Sequence, residues 1–577
     1  MNKRLLLFLF CFSFCTIFGQ NTQTLRVLNL VPDDCYQLQL IEWPELATNF
    51  ELTALDKDKI LNPLYKEKKV IKDFVRSWVQ QDSKCGIDFT ATAAYINSNC
   101  LLVPLNDEKS FEKMVRKMGE KASFQSITHN GQTFRYLSDG SILCTDDIAC
   151  IFVAKKFEDE IETPLGELQQ TVLQNWDKMQ RSTFPTSEIG KFFIQRGMIS
   201  YVAYNAQHPD LKMLSGIINK QNSSLSSNLD KLNLLMFSTG SADKNQILGK
   251  TELYMSTPKG LEPISMTNLS SEGTRPLLPH LLENPIAVIS CNVTGLGDSL
   301  APFLSFRPEI QTLAPLLNHP FIGSLTSDKG YLLCTTLDNP KAVQPALEQY
   351  VALRNQALDS AFKALSVDTN DVIAVVNLRD QALDSASKAR QVNDDEAVVE
   401  VVTDDDSGDD EEVVEEAPYR IPAEDSLVNH KQLTHTHADG YDLYILTTYK
   451  KDLDYETFTW LYKYDTVCYI MTKDNKLFLF GEAELMQNVL NPTKSMPTGI
   501  RTQDPLYARV DLNTLFREIE EEGIIPLRDI VIQTEDNIMT MEVNAIDGLT
   551  HNLMYELVKA AVEEFTKTRK EIKKFKF

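Results

Sequence analysis

The chain has 577 residues, 43% hydrophobic and 24% charged, with a formal net charge of -24. Such fractions suit a folded, water-facing protein with enough apolar material to bury a core. The acidity repels phosphate backbones and argues against a nucleic-acid partner, but much of it is local: thirteen acids and no base lie between Asp394 and Glu416.

Met1 to Arg4 form a short basic start, Leu5 to Phe18 are almost wholly apolar, and Gly19 and Gln20 end the run. This layout predicts a secretory signal over residues 1–19 and a mature chain beginning near Gln20. The expected location is periplasmic or secreted, with outer-membrane association compatible. Phe10 precedes Cys11 and Phe14 precedes Cys15, so neither cysteine sits in a good lipobox. After this region no apolar run reaches the roughly 18 residues a membrane span needs, so no transmembrane segment is expected once the signal is removed.

A first α+β domain is expected over 20–165. Gln37 to Ile41 reads as a strand leading to a helix at Pro44, which suits a first helical position because its missing N–H would be unpaired there anyway. Cys100 to Val103 reads as a second strand, with Asn106 or Asp107 as a cap. Phe111, Met114, Val115 and Met118 follow at helical spacing. Ile142 to Cys144 and Ile148 to Val153 then flank an Asp-rich turn and read as a hairpin. A short α+β segment is expected over 190–275, with a strand at Met198 to Asn205.

The same units recur in the same order further on. Ile286 to Ser290 leads to an apolar helix ending near Leu304. Tyr331 to Leu337 precedes Asp338-Asn339-Pro340 and a helix with Val343, Leu347, Tyr350 and Val351. Val467 to Met471 and Leu477 to Phe480 flank a polar turn, and a helix at Glu482 to Leu490 follows. A second α+β repeat domain is therefore expected over 284–392 and 419–495. The fold class predicted is α+β: tandem duplicated sheet-plus-helix domains with a disordered acidic insertion at 393–418. Leu353 to Ala361 recurs almost unchanged as Leu378 to Ala386, a short tandem repeat just before that insertion. A C-terminal strand-helix-hairpin-helix unit is expected over 500–577. It begins with the strand from Tyr507, has its last helix starting near Leu549, and ends in a basic tail with Lys567, Arg569, Lys570, Lys573, Lys574 and Lys576.

Eight cysteines follow the signal: Cys35, Cys85, Cys100, Cys144, Cys150, Cys291, Cys334 and Cys468. An even number in an exported chain leaves disulfides open. Their apolar neighbours favour buried free thiols. No Cys-x-x-C pair supports a zinc ribbon or a thioredoxin-like site.

Few residues carry a chemical signature. Gly297-Asp298-Ser299-Leu300 spells the tetrapeptide of the GDSL esterases, which makes Ser299 the one candidate nucleophile. No convincing Gly-x-Asn block of that family is found, and Asp547 and His551 are one residue too far apart for its Asp-x-x-His. His435 and His437 share a strand face beside His430 and Asp439, and they are the candidate metal ligands, without a fixed third. Asp404 to Asp410 fail the ends of a calcium loop. There is no phosphate loop, no His-Glu-x-x-His and no Gly-x-Ser-x-Gly. No cofactor is expected.

Val31-Pro32-Asp33-Asp34, the helix with Val70, Ile71, Phe74, Val75 and Trp78, Cys85-Gly86-Ile87-Asp88, the unit at 100–119 and Phe134-Arg135-Tyr136 together resemble the exported Bacteroidota proteins of domain-of-unknown-function family 4836. The resemblance covers 25–165. It implies export and no assigned activity; many members are lipoproteins, whereas this chain lacks the lipobox and adds the acidic insertion. The expected function is a non-enzymatic binding or scaffolding protein whose partner is another envelope protein or a glycan. The alternatives are a hydrolase with Ser299 at a site assembled from distant residues, and an envelope-assembly partner that uses the acidic loop.

Overall fold

The computed structural model describes residues 24–67, 69–81, 84–97, 99–118, 123–137, 142–145, 147–152, 165–204, 208, 233–266, 268–298, 308–326, 330–367, 427–438, 440–454, 459–492, 499–519 and 526–574. The expected signal, the second copy of the short repeat, the acidic insertion and Ser299 lie outside these residues.

The chain is a mixed α+β protein, and the strand pairings among the described residues are antiparallel. In chain order they are β1 (Gln37–Ile41), β2 (Ala93–Ile96), β3 (Cys100–Pro104), β4 (Phe124–His129), β5 (Gln132–Leu137), β6 (Ile142–Cys144) and β7 (Ile148–Phe152). Next come β8 (Ser200–Tyr204), β9 (Leu234–Ala242), β10 (Gln246–Thr257), β11 (Gly260–Pro263), β12 (Ala287–Cys291), β13 (Phe321–Leu325) and β14 (Tyr331–Thr336). The last are β15 (Lys431–Ala438), β16 (Tyr441–Asp454), β17 (Thr459–Lys473), β18 (Lys476–Phe480), β19 (Leu506–Asp511), β20 (Leu527–Glu535) and β21 (Ile538–Ala545).

Two compact units divide the chain. The first draws on residues 1–295, 319–329 and 492–570, the second on 296–318, 330–491 and 571–577. In the first, strands pair in the order β4-β5-β6-β7-β3-β2-β1-β8-β9-β10-β21-β20-β19-β12-β13, and β11 folds back on the end of β10. Outward from the β10–β21 pair, one arm runs β9, β8, β1, β2 and the other runs β20, β19, β12, β13. The strands of 190–275 and of 500–577 thus continue one sheet with β1 and β12. In the second unit the order is β14-β18-β17-β16-β15, which repeats the order β3-β7-β6-β5-β4 of the first.

The local reasons are ordinary. β1 and β8 alternate buried and half-buried residues, so one face meets the core. Pro44 is the second residue of the helix Trp43–Asn49, one place later than expected, still in the first turn where its missing N–H costs nothing. The last helix runs Leu553–Lys574, starting later than the sequence suggests. Gly548 holds φ +82°, and the Asn552 side chain accepts from the Tyr555 amide at 2.8 Å, so the chain turns before it winds. The segment 482–490 is a 3-10 turn, Ala483–Leu485, followed by a single α-helical stretch, Met486–Leu490. β16 and β17 run past the apolar stretch, paired as far as Asp454 and Thr459, with a bulge at Leu446/Thr447.

All eight described cysteines are buried and free. Burial pushes the thiols of Cys35, Cys100 and Cys334 up to about 12, and raises that of Cys150 as well. The thiolate is the reactive form, so these groups are inert while folded. Iodoacetamide on the native protein at pH 8 is expected to label none of the eight on a scale of minutes, and all eight in 6 M guanidinium. Mass spectrometry reads the count, and a native label on any of them contradicts the packing.

A candidate binding cleft and the histidine clusters

Two amphipathic helices build a cavity. The helix Lys69–Gln80 turns Val70, Phe74 and Trp78 inward at a spacing of four. Trp78 packs edge-on to Trp43 at 5.3 Å between ring centroids, and its indole N–H donates to the Trp43 carbonyl at 2.7 Å. The helix Glu108–Met118 turns Phe111, Met114 and Val115 into the same cluster, beside Ile87 and Phe89. Its other face carries Lys109, Lys113 and Lys117 in a stripe at i, i+4 and i+8.

Between the helices lies a cleft of about 390 Å³. Its walls carry Arg76, Lys84, Lys113 and Lys117, and its one acid is Asp73. Lys117 Nζ stands 3.7 Å from the Asp73 carboxylate, and Arg76 Nε 3.9 Å from Asp56, which also accepts from the Tyr65 hydroxyl. These cations stay about half exposed, so they can meet a ligand without the cost of a fully buried charge. Ser77 is different: it lines the cleft, is only 1% exposed, and its hydroxyl has no hydrogen-bond partner. A shallower hollow of about 530 Å³ continues over the outer face, against Lys109, Arg116 and Glu112.

His435 and His437 do converge. Nε2 of His435 and Nδ1 of His437 lie 3.0 and 2.9 Å from the same oxygen of Asp442, across the β15–β16 hairpin. His435 also stacks on Tyr444 at 4.6 Å. Hydrogen bonds from the two imidazoles hold Asp442 below the usual carboxylate range. One carboxylate oxygen takes both rings, and no group of metal-ligating geometry occurs among the described residues. His430 lies 3.0 Å from Asp359, on a different element from His435 and His437. His551, one of the two residues weighed for the esterase reading, has Nδ1 2.7 Å from Glu51 and its ring stacked on Tyr555. That contact ties the start of the last helix to the loop at Glu51. Asp298 of the Gly-Asp-Ser-Leu run meets the Asn318 amide at 3.3 Å; Ser299 itself lies outside the described residues.

Glu45 carries a strongly raised carboxyl. Burial, aided by the nearby Glu42 charge, pushes it from 4.5 up to about 7, and one of its oxygens is buried without a partner. Because the folded value is raised, the folded state keeps a proton that the unfolded chain releases between pH 4.5 and 7. The associated stability is complete below 4.5 and is lost as pH rises through 7. Glu45→Gln removes that loss. Its melting temperature relative to wild type is expected to climb between pH 4.5 and 7.5, to a gain of about 1 kcal/mol after solvent screening. A gap that stays flat with pH, read by circular dichroism, counts against the raised value.

Among the described residues no helix is long and apolar enough to cross a membrane. No family model, curated protein or solved structure matches the chain.

Proposed function

We propose that the chain is an exported binding or scaffolding protein without enzymatic activity, periplasmic or secreted, built from two α+β halves that arose by tandem duplication. The observation that supports binding is the cleft between Lys69–Gln80 and Glu108–Met118, which gathers four cations and an unpartnered buried hydroxyl at one surface of an acidic protein. The duplication is supported by the repeated orders β3-β7-β6-β5-β4 and β14-β18-β17-β16-β15 and by the matching arms about the β10–β21 pair. Export rests on the basic-then-apolar start and on the resemblance over 25–165 to exported proteins. The acidic loop remains the natural bait if a basic envelope protein is the partner.

A thermal-shift screen of residues 20–577 against a metabolite and glycan library, run beside a fluorophosphonate probe, tests this reading. Ligands that raise the melting temperature and are recovered unchanged support it. Probe labelling that vanishes in Ser299→Ala overturns it in favour of the hydrolase.

A further inference from the structure

We propose that the cleft between the helices Lys69–Gln80 and Glu108–Met118 binds a phosphate monoester carried on a sugar-sized molecule, an inference that rests on the binding-protein reading and names the ligand class of that site.

The cations come first. Arg76, Lys84, Lys113 and Lys117 surround a cavity whose lining holds a single acid, Asp73. In a chain of net charge -24 this is a local excess of cations, and a concave site focuses the field of such a cluster on an incoming anion. Asp73 already answers part of Lys117 at 3.7 Å, and Asp56 answers part of Arg76 at 3.9 Å. A guest with one negative charge would therefore gain little over these contacts. A dianion has enough charge to displace them.

Ser77 supplies the second, independent sign. A buried hydroxyl without a partner costs about 1–3 kcal/mol, so such groups are rare unless something external completes them. Ser77 lines the cleft and its Oγ is buried without a partner; a phosphoryl oxygen that reached it would accept its proton. Gln80 and Ser110 line the same cavity and add amide and hydroxyl donors. An oxyanion with three acceptor oxygens uses such a mixed set of donors well; a carboxylate with two oxygens in one plane uses it less well.

Volume sets the carrier. About 390 Å³ lies within the usual range for small-ligand sites and exceeds what one phosphate group fills. The remaining wall is part apolar, with Val70, Cys85 and Met114, a surface suited to a sugar ring's carbon face. The half-exposed cations predict salt-sensitive affinity, since screening at 0.5 M salt cuts the reach of exposed charges severalfold.

Isothermal titration of residues 20–577 with glucose 6-phosphate, inorganic phosphate and glucose tests the proposal. Glucose 6-phosphate is expected to bind with a Kd below about 1 mM and glucose not to bind. Inorganic phosphate is expected to compete more weakly; if it binds as tightly as the ester, the sugar-sized carrier is refuted. Lys113→Gln with Lys117→Gln is expected to weaken the ester at least tenfold with an unchanged melting temperature, and Ser77→Ala severalfold. Raising salt from 0.05 to 0.5 M is expected to weaken it similarly. No binding of either anion at 10 mM, or binding indifferent to Lys113 and Lys117, overturns the inference. A library ligand that binds while leaving these variants unaffected overturns the inference alone and leaves the binding-protein reading standing. Release of inorganic phosphate from the ester does the opposite: it overturns the non-enzymatic reading and keeps the ligand class.

Discussion

Replacing Gly86 with alanine is expected to cost at least about 3 kcal/mol, more than any surface change, by adding one methyl group. Gly86 holds φ +79°, a left-handed conformation in which a side chain is strained. The methyl itself would sit 2.2 Å from the Asp107 carbonyl oxygen and 2.3 Å from the Phe111 amide nitrogen. Both are backbone atoms at the start of the helix Glu108–Met118, so neither can rotate aside. Gly86 also accepts from the Asn106 amide at 3.0 Å, which fixes the loop to that helix start. The alanine must separate the two, and with them Lys84 from Lys113 across the cleft. Gly131→Ala isolates the backbone part. It has the same φ of +79°, but its methyl would meet nothing within 4 Å, so about 1 kcal/mol is expected. Urea unfolding followed by circular dichroism compares them. Equal losses for the two variants would mean that close approach at Gly86 is not what the structure implies.

That glycine illustrates what could be read along the chain. Cys85-Gly86-Ile87-Asp88 stands out as a motif, but nothing local says that Gly86 abuts residue 107. Strands β1, β3, β12, β14 and β19 announce themselves because alternation or an apolar run is a property of neighbours. So do the hairpins, whose turns hold Asp or Asn at positive φ, such as Asp474 and Asn475. β9 to β11 are harder to see, since Ser238, Thr239, Gly240 and Ser241 dilute the pattern. The pairing of β8 on β1 and of β21 on β10 joins segments 160 to 300 residues apart, which no local period encodes. The order of strands, helices and hairpins along the chain is legible; the sheet that joins the strands is not.

The site divides in the same way. His435 and His437 lie two apart on a strand, so their shared face follows from the pleat alone. Asp442 as their common partner follows from hairpin register, which needs the turn to be placed. The cleft escaped sequence reading because Lys69–Gln80 shows its apolar side clearly. Asp73, Arg76, Ser77 and Gln80 on the other side look like an ordinary wet surface. The signal that was available is the stripe Lys109, Lys113, Lys117 in an acidic chain.

Phe237→Ala is expected to cost about 3–5 kcal/mol, the usual toll for an aromatic ring removed from a sealed core. Phe237 lies on β9, fully buried, with its ring 4.7 Å from Phe192, 5.4 Å from Tyr201 and 5.9 Å from Tyr254. Those partners come from the helix Glu188–Gln195, from β8 and from β10, so a single side chain joins three elements. Each favourable ring pair adds about 0.5–1.5 kcal/mol beyond area. The cavity left behind cannot collapse easily, because β8 and β10 are held on either side of β9 by their own ladders. Phe237→Leu keeps most of the volume and loses the ring pairs, so about 1–2 kcal/mol is expected. Met255→Ala, on β10 but 40% exposed, should fall within about 0.5 kcal/mol of wild type. Urea midpoints order the three variants. β10 also pairs with β21 from Gln246 to Glu252, so the loss at Phe237 should reach the strands beyond it. Hydrogen exchange of the β20 and β21 amides should therefore accelerate in Phe237→Ala. Acceleration confined to β8 and β9 would show that the sheet unfolds in separate pieces at the β10–β21 seam.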